Sequence, residues 1–273
     1  MVLAVFRGAS LSSDGSSEGG QDRWAASERH AVVLDGASSF TPAVVDASEY
    51  VDQLCAELTS ELRDGDHDLV AILGTCISAV ASRLSLRPAE APSSTVLLAR
   101  ERGDEFNLLV LGDSTAVVSV NGEISRTTDD RLASVGGDLR RRYRSRLAAG
   151  TGYDDEHRQL LRLLQEQELT ARNTLDGYWI AEADRQAAKE AVVQTFALAD
   201  LDWCVLATDG VQRPIDHLGM HWPDIAGMTA PELSHLLADL HHWEENQDPD
   251  GAALPRSKRH DDKAIVVWTP TRS

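Results

Sequence analysis

Four aspartates stand where apolar runs begin or end. "AVVLDG" leads into Asp35-Gly36, "VLATDG" ends on Asp209-Gly210, "LVLGDS" places Asp113 after a third run, and Asp261-Asp262 opens onto "KAIVVW". A lone carboxylate at the mouth of a buried strand is costly unless it is hydrogen-bonded, paired or bound to a metal. Each Asp-Gly pair taken singly reads as an ordinary turn. Several carboxylates delivered to one edge instead make a site for hard divalent cations, since Mg²⁺ and Mn²⁺ prefer oxygen ligands. Two such ions about 3.5–4 Å apart orient a water, lower its pKa and stabilise a phosphoryl transition state. Gly36, lacking Cβ, would let its backbone carbonyl approach an ion closely.

The elements that must hold these residues are legible in outline. Residues 2–7 read as a strand, followed by the Gly/Ser-rich loop "GASLSSDGSSEGGQDRW". Residues 24–34 read as a strand running into Asp35. Helical periodicity covers roughly 46–63 and 67–86, with Val51, Leu54, Cys55, Leu58 and Leu62 on one face. Strands follow at 94–100, 106–114, 115–120 and 123–128, with Asn121-Gly122 as a two-residue hairpin signal. Residues 129–200 read as a mostly helical, charged insert. Beyond it lie strands at 202–210 and 263–268 with a helix at 228–245 between them. Long helices interspersed with meandering strands predict an α+β chain built on antiparallel sheet, not regular βαβ repetition.

The 273 residues suffice for one large domain with a real core, and 1–273 is read as a single domain. A formal charge of −18 argues against nonspecific nucleic-acid or anionic-lipid binding, which need a positive field. No apolar stretch reaches membrane-spanning length, and the N-terminal run is too short for a signal peptide. Cys55, Cys76 and Cys204 lie in apolar surroundings without C-x-x-C spacing, which suits reduced, buried thiols in a cytoplasmic protein.

With these residues in place, the chain resembles the metal-dependent serine/threonine protein phosphatases of type 2C. The resembling stretches are "QDRW", "VVLDGASS", "SSTVLLAR", "LVLGDSTAVV", "CVLATDGV" and "HDDKAIVVW", in the family's order and rough spacing. The resemblance implies a four-layer α-β-β-α sandwich, with two central mostly antiparallel sheets and a binuclear Mn²⁺ or Mg²⁺ centre between them. It implies Asp35 as bridging ligand, the Gly36 carbonyl on one ion, Asp209 and Asp261 on the other, and Asp22 near the first, holding water. Asp113 resembles the family's ligand for a weak third metal. Physics alone does not choose between Asp261 and Asp262; the resemblance favours the first. The implied reaction is hydrolysis of phosphoserine and phosphothreonine monoesters by water that the ions activate, on a phosphorylated protein substrate. A weakly active or inactive phosphoprotein-binding module of the same fold is the alternative.

The departures from the family pattern are specific. Gln21 stands where the family usually has Glu, Ser17 where an Arg often grips phosphate, and Ala37 where many members carry a histidine. Arg213 stands where an aspartate often helps hold the third metal, so at most two tightly held ions are expected. His260, adjoining Asp261, is the nearest candidate in sequence for a proton donor to the leaving group, with an ordinary pKa of about 6.5.

Other signals carry less. "GSSEG" at 15–19 matches the nucleophile-elbow pattern but lies in a polar loop rather than a strand-to-helix turn. No P-loop is present. The basic segment "DLRRRYRSR" (138–146) reads as a helix surface paired with Asp154, Asp155 and Glu156, or as a surface recognising phosphorylated segments. Tyr178 and Trp179 read as core. The histidines at 217, 221, 235, 241 and 242 read as structural or solvated, since no H-E-x-x-H or Cys/His set supports zinc.

Overall fold

The computed structural model describes residues 4–17, 20–37, 45–64 and 67–270. Strands β1 (Ala4–Leu11), β2 (Asp22–Ala26) and β3 (His30–Gly36) come first, followed by helices α1 (Ala47–Asp64) and α2 (Leu69–Arg83). Four strands follow, β4 (Ser94–Arg102), β5 (Glu105–Leu111), β6 (Thr115–Val120) and β7 (Glu123–Thr127), as two hairpins in different sheets, the chain crossing from one sheet to the other between β5 and β6. The insert contributes α3 (Arg131–Ser134), α4 (Gly137–Ala148) and α5 (Asp155–Ala171), then a 3-10 turn at Arg185–Glu190. The chain closes with β8 (Val192–Ala197), β9 (Leu201–Ala207), α6 (Asp209–His217), α7 (Trp222–Ala226), α8 (Ala230–Asn246) and β10 (Lys263–Pro270).

The strands form two five-stranded sheets, ordered β1-β10-β9-β6-β7 and β2-β3-β4-β5-β8, and every pairing is antiparallel. The apolar runs are continuous because both faces of each central strand are covered. In β3, Val32 and Leu34 pack under α1 and α2, while Ala31 and Val33 face the opposite sheet. In β10, Ile265 and Val267 pack against α6, α7 and α8, while Val266 and Trp268 face inward between the sheets. Period-2 alternation thus assigns each strand to two cores at once, and the layers are α-β-β-α.

Two sequence expectations change. Residues 24–34 are a hairpin rather than one strand. Ser27 turns the chain: its N–H donates to the His30 carbonyl at 2.8 Å, and its Oγ accepts from the N–H groups of Arg29 and His30 at 3.2 Å each. Val192–Ala197, read as part of a helical stretch, is instead the edge strand β8 against β5. Its half-exposed edge position left no long apolar run to announce it. Helices α4 and α5 form a small core of their own around Tyr143, Leu147, Leu160 and Leu164. No helix among the described residues is long and apolar enough to cross a membrane.

Candidate metal centre

The β2–β3 hairpin decides the first pair of carboxylates. Its register sets Asp22 opposite Asp35, at the end of the sheet remote from the Ser27 turn. Gly36 follows with no room for a side chain: a Cβ there would lie 2.7 Å from the Gln21 carbonyl, to which the Gly36 N–H donates at 3.1 Å. That close approach locks the open end of the hairpin.

The other carboxylates arrive from both sheets. Asp113 sits on the crossing from β5 to β6, beside a 2.6 Å hydrogen bond between the hydroxyls of Thr95 and Ser114. Asp209 is the first residue of α6, directly after β9. Thr208 holds that junction to β10, its N–H donating to the Ala264 carbonyl at 3.1 Å and its Oγ1 accepting the Ala264 N–H at 3.0 Å. Gly210 is required here, because a Cβ would lie 2.0 Å from the Asp262 carbonyl oxygen.

The two neighbouring aspartates before β10 do different work. Asp262 is buried, and its oxygens accept the N–H groups of Ser13 at 2.6 Å and Gln21 at 2.9 Å, which pins those two residues beside it. Asp261 lines the cavity, where Oδ1 takes the Lys258 ammonium at 2.8 Å.

Asp35, Gly36, Asp113, Asp209 and Asp261 line one cavity of about 560 Å³ between the sheet ends and the α3–α5 insert. Asp22 is buried beside it, and its Oδ2 has no hydrogen-bond partner among the described residues. Burial and its acidic neighbours push Asp35 and Asp22 well above the usual carboxylate range. Burial and Asp209 push Asp113 up to about 7. Asp209 is raised by burial and by Asp261, with Arg213 and Lys258 working against the rise. Of these carboxylates only Asp261 is held below its ordinary value: burial pushes it up, but Lys258, Lys263 and Arg213 together outweigh that. Mutually repelling carboxylates with an orphaned buried oxygen form an anionic, oxygen-only donor set, which fits hard divalent cations.

The cavity also carries cations that sequence spacing did not place. Arg140 and Arg144, from the basic segment, line it together with Arg213 and Lys258. Arg140 is tied to Glu168 at 2.5 Å, and Arg213 lies 3.7 Å from Asp209. Arg144 is exposed and makes no ion pair with a carboxylate among the described residues. Arg146, by contrast, pairs with Asp154 at 2.6 Å and Glu156 at 2.8 Å, the surface pairing expected of the whole segment. One segment therefore divides between cavity wall and surface.

His260, the candidate proton donor, lies apart from the carboxylates. It does not line the cavity: its ring stacks on His241 at 4.2 Å, and its Nδ1 lies 3.2 Å from Glu244 Oε2. Burial and the nearby Lys263, Arg256 and Arg259 hold its pKa below the ordinary value, which disfavours the protonated form an acid needs. His241, Glu244 and His260 together place their ligand atoms within 4.8 Å of one another, close enough to share one metal ion. Helical spacing could have paired His241 with Glu244, but only the fold adds His260. Lys263, fully buried, occupies Glu244 Oε2 at 2.8 Å and also donates to the Asp261 carbonyl at 3.0 Å.

Residues 7–141 match the family model described as Protein phosphatase 2C. No curated protein sequence matches the chain significantly. Among solved structures, the catalytic domain of the serine/threonine phosphatase PstP in complex with two manganese ions is similar at 15% identity, TM-score 0.57, covering 100% of both chains. The Mycobacterium tuberculosis serine/threonine phosphatase PstP/Ppp is similar at 17% identity, TM-score 0.56, again over 100% of both. The photosystem II phosphatase PBCP is similar at 15% identity, TM-score 0.58, over 97% of this chain and 98% of that one. At these identities the structures speak for the fold, and the family model for the segment that holds Asp22, Asp35 and Asp113. Residues 7–141 thus match the protein phosphatase 2C family model, and the fold shared with metal-dependent serine/threonine phosphatases continues through the remainder of the chain.

Proposed function

We propose that this chain hydrolyses phosphoserine and phosphothreonine monoesters on proteins, with two divalent ions held by Asp35, the Gly36 carbonyl, Asp209 and Asp261. The observation that carries the reading is the convergence of Asp35, Asp113, Asp209 and Asp261 from both sheets on one cavity, with Asp22 in register beside Asp35. When bound, such ions supply an activated water nucleophile and neutralise charge on the transferring phosphoryl group. The Asp22 Oδ2, buried and unpartnered, is disposed to accept a hydrogen bond from the attacking water. Arg144, free of carboxylates, is the cavity-wall group best suited to take the phosphoryl oxygens, a role the family often gives to an arginine where this chain has Ser17. Asp113 is assigned to a weak third ion, since Arg213 stands near Asp209 in place of another acid. The deciding experiment is Mn²⁺-dependent release of phosphate from a phosphoserine peptide by the purified chain, against the Asp209→Asn variant. Hydrolysis that persists undiminished in that variant would overturn the assignment.

A second reading, a phosphoprotein-binding module without turnover, draws on one observation: Lys258 and Arg213 already neutralise Asp261 and Asp209. Retained phosphopeptide binding with no Mn²⁺-dependent turnover would select it.

A further inference from the structure

Strand β3 has a second end. Asp35 stands at one end and His30 at the other, about 17 Å apart at ~3.4 Å per residue. His30 is only 3% exposed. Its Nδ1 lies 2.9 Å from Ser27 Oγ, and that oxygen already accepts two backbone N–H groups. The hydroxyl proton is therefore the one directed at Nδ1, which makes Nδ1 the acceptor and puts the imidazole hydrogen on Nε2. Nε2 is buried and has no partner among the described residues. A buried donor without an acceptor is costly and calls for an acceptor from outside the chain.

The surroundings define that acceptor. His30 lines a cleft of about 450 Å³ together with Arg29, Arg63, Arg100 and Arg102, against Glu28 and Glu101. Four arginines face two glutamates in a chain whose overall charge is −18. Glu101 is engaged by the Trp268 indole N–H at 2.5 Å, and one Arg100 nitrogen donates to the His67 carbonyl at 2.9 Å. Arg29 and Arg63 are exposed and make no ion pair among the described residues. Burial, together with Arg63 and Arg100, holds the His30 pKa below its ordinary value, so the ring is a neutral donor between cations.

We propose that this cleft binds a phosphate-class oxyanion, one oxygen accepting the His30 Nε2–H while the guanidinium groups of Arg63 and Arg29 close on the others. Guanidinium forks suit phosphoryl oxygens, and a neutral imidazole donor adds direction without further charge. The site lies at the opposite end of β3 from the aspartates and does not depend on the proposed hydrolysis.

The test follows His30 Nε2 by NMR in the full-length chain, labelled with ¹⁵N-histidine and kept free of divalent metal by chelation. Inorganic phosphate and a phosphoserine peptide are titrated separately, with potassium chloride at matched ionic strength as control. The expected result is a saturable shift of His30 Nε2 with phosphate and none with chloride. Arg63→Ser, at an exposed position, should weaken the apparent affinity about tenfold, with Arg29→Ser as a second variant. A tighter response to the peptide identifies phosphoryl groups on protein segments as the ligand; a response to phosphate alone identifies the free anion. No saturable shift with either, an equal shift with chloride, or unchanged affinity in both arginine variants would overturn the proposal. Because the Asp209→Asn chain should respond identically, loss of phosphatase activity leaves the result readable.

Discussion

Lys258 is the residue whose removal most directly tests the metal assignment. Its ammonium lies 2.8 Å from Asp261 Oδ1, with side-chain exposures of 38% and 24% for the two partners. A divalent ion bound to Asp261 would stand about 2.1 Å from a carboxylate oxygen, hence up to about 5 Å from that ammonium. A single positive charge facing a double one across ~5 Å repels by about 1.7 kcal/mol at the dielectric of water, and by roughly half that with physiological salt. The pair is partly exposed, so the attraction that Lys258 withdraws from the ion adds only about 0.5 kcal/mol. Lys258→Met should therefore tighten Mn²⁺ binding about tenfold. The assay is an isothermal Mn²⁺ titration of the chelator-treated chain, with half-saturation of phosphopeptide hydrolysis as a second reading. Affinity unchanged within twofold, or weakened, would mean that Asp261 is not a ligand or that Lys258 moves aside at no cost.

Three further outcomes are expected. Without metal, Asp22, Asp35 and Asp113 have raised folded-state pKa values, so their contribution to stability is present below the unfolded value of about 3.9 and is lost as pH rises toward the folded values, about 7 for Asp113. The Tm of the chelated chain should accordingly fall from pH 4 toward pH 7, and saturating Mn²⁺ should abolish that fall in calorimetry; a flat profile in chelator would contradict the electrostatic reading. Arg144→Ser should raise KM for a phosphopeptide about tenfold, the value of one charge-assisted contact, whereas Arg146→Ser should leave kinetics unchanged and cost at most about 1 kcal/mol in urea unfolding. His260→Ala should leave the ratio of phosphoserine to p-nitrophenyl phosphate turnover unchanged across neutral pH, because the ring stacks on His241 outside the cavity; a selective loss on phosphoserine would restore it as proton donor.

The strand-end aspartates, the two-faced apolar strands and the order of most elements, the β2–β3 turn and edge strand β8 excepted, were legible locally. A strand buried on both sides must be apolar along its length, and a polar residue that breaks the run marks its end, so Asp35, Asp113, Asp209 and Asp261 announced themselves. What spacing could not supply is whatever depends on two distant segments meeting. Asp22 faces Asp35 only because Ser27 folds 22–36 into a hairpin, where residues 24–34 read as a single strand. Asp261 and Asp262 are chemically identical neighbours, and only the approach of Ser13 and Gln21 occupies Asp262 and leaves Asp261 to the cavity. Arg140 and Arg146 belong to one basic run on one helix, yet the first reaches the cavity wall and the second pairs with acids at the start of the next helix, because a helix shows different faces to different neighbours. The unpartnered Nε2 of His30 and the meeting of His260 with Glu244 are likewise set by packing between elements, since a hydrogen bond across the fold leaves no periodic trace in the chain.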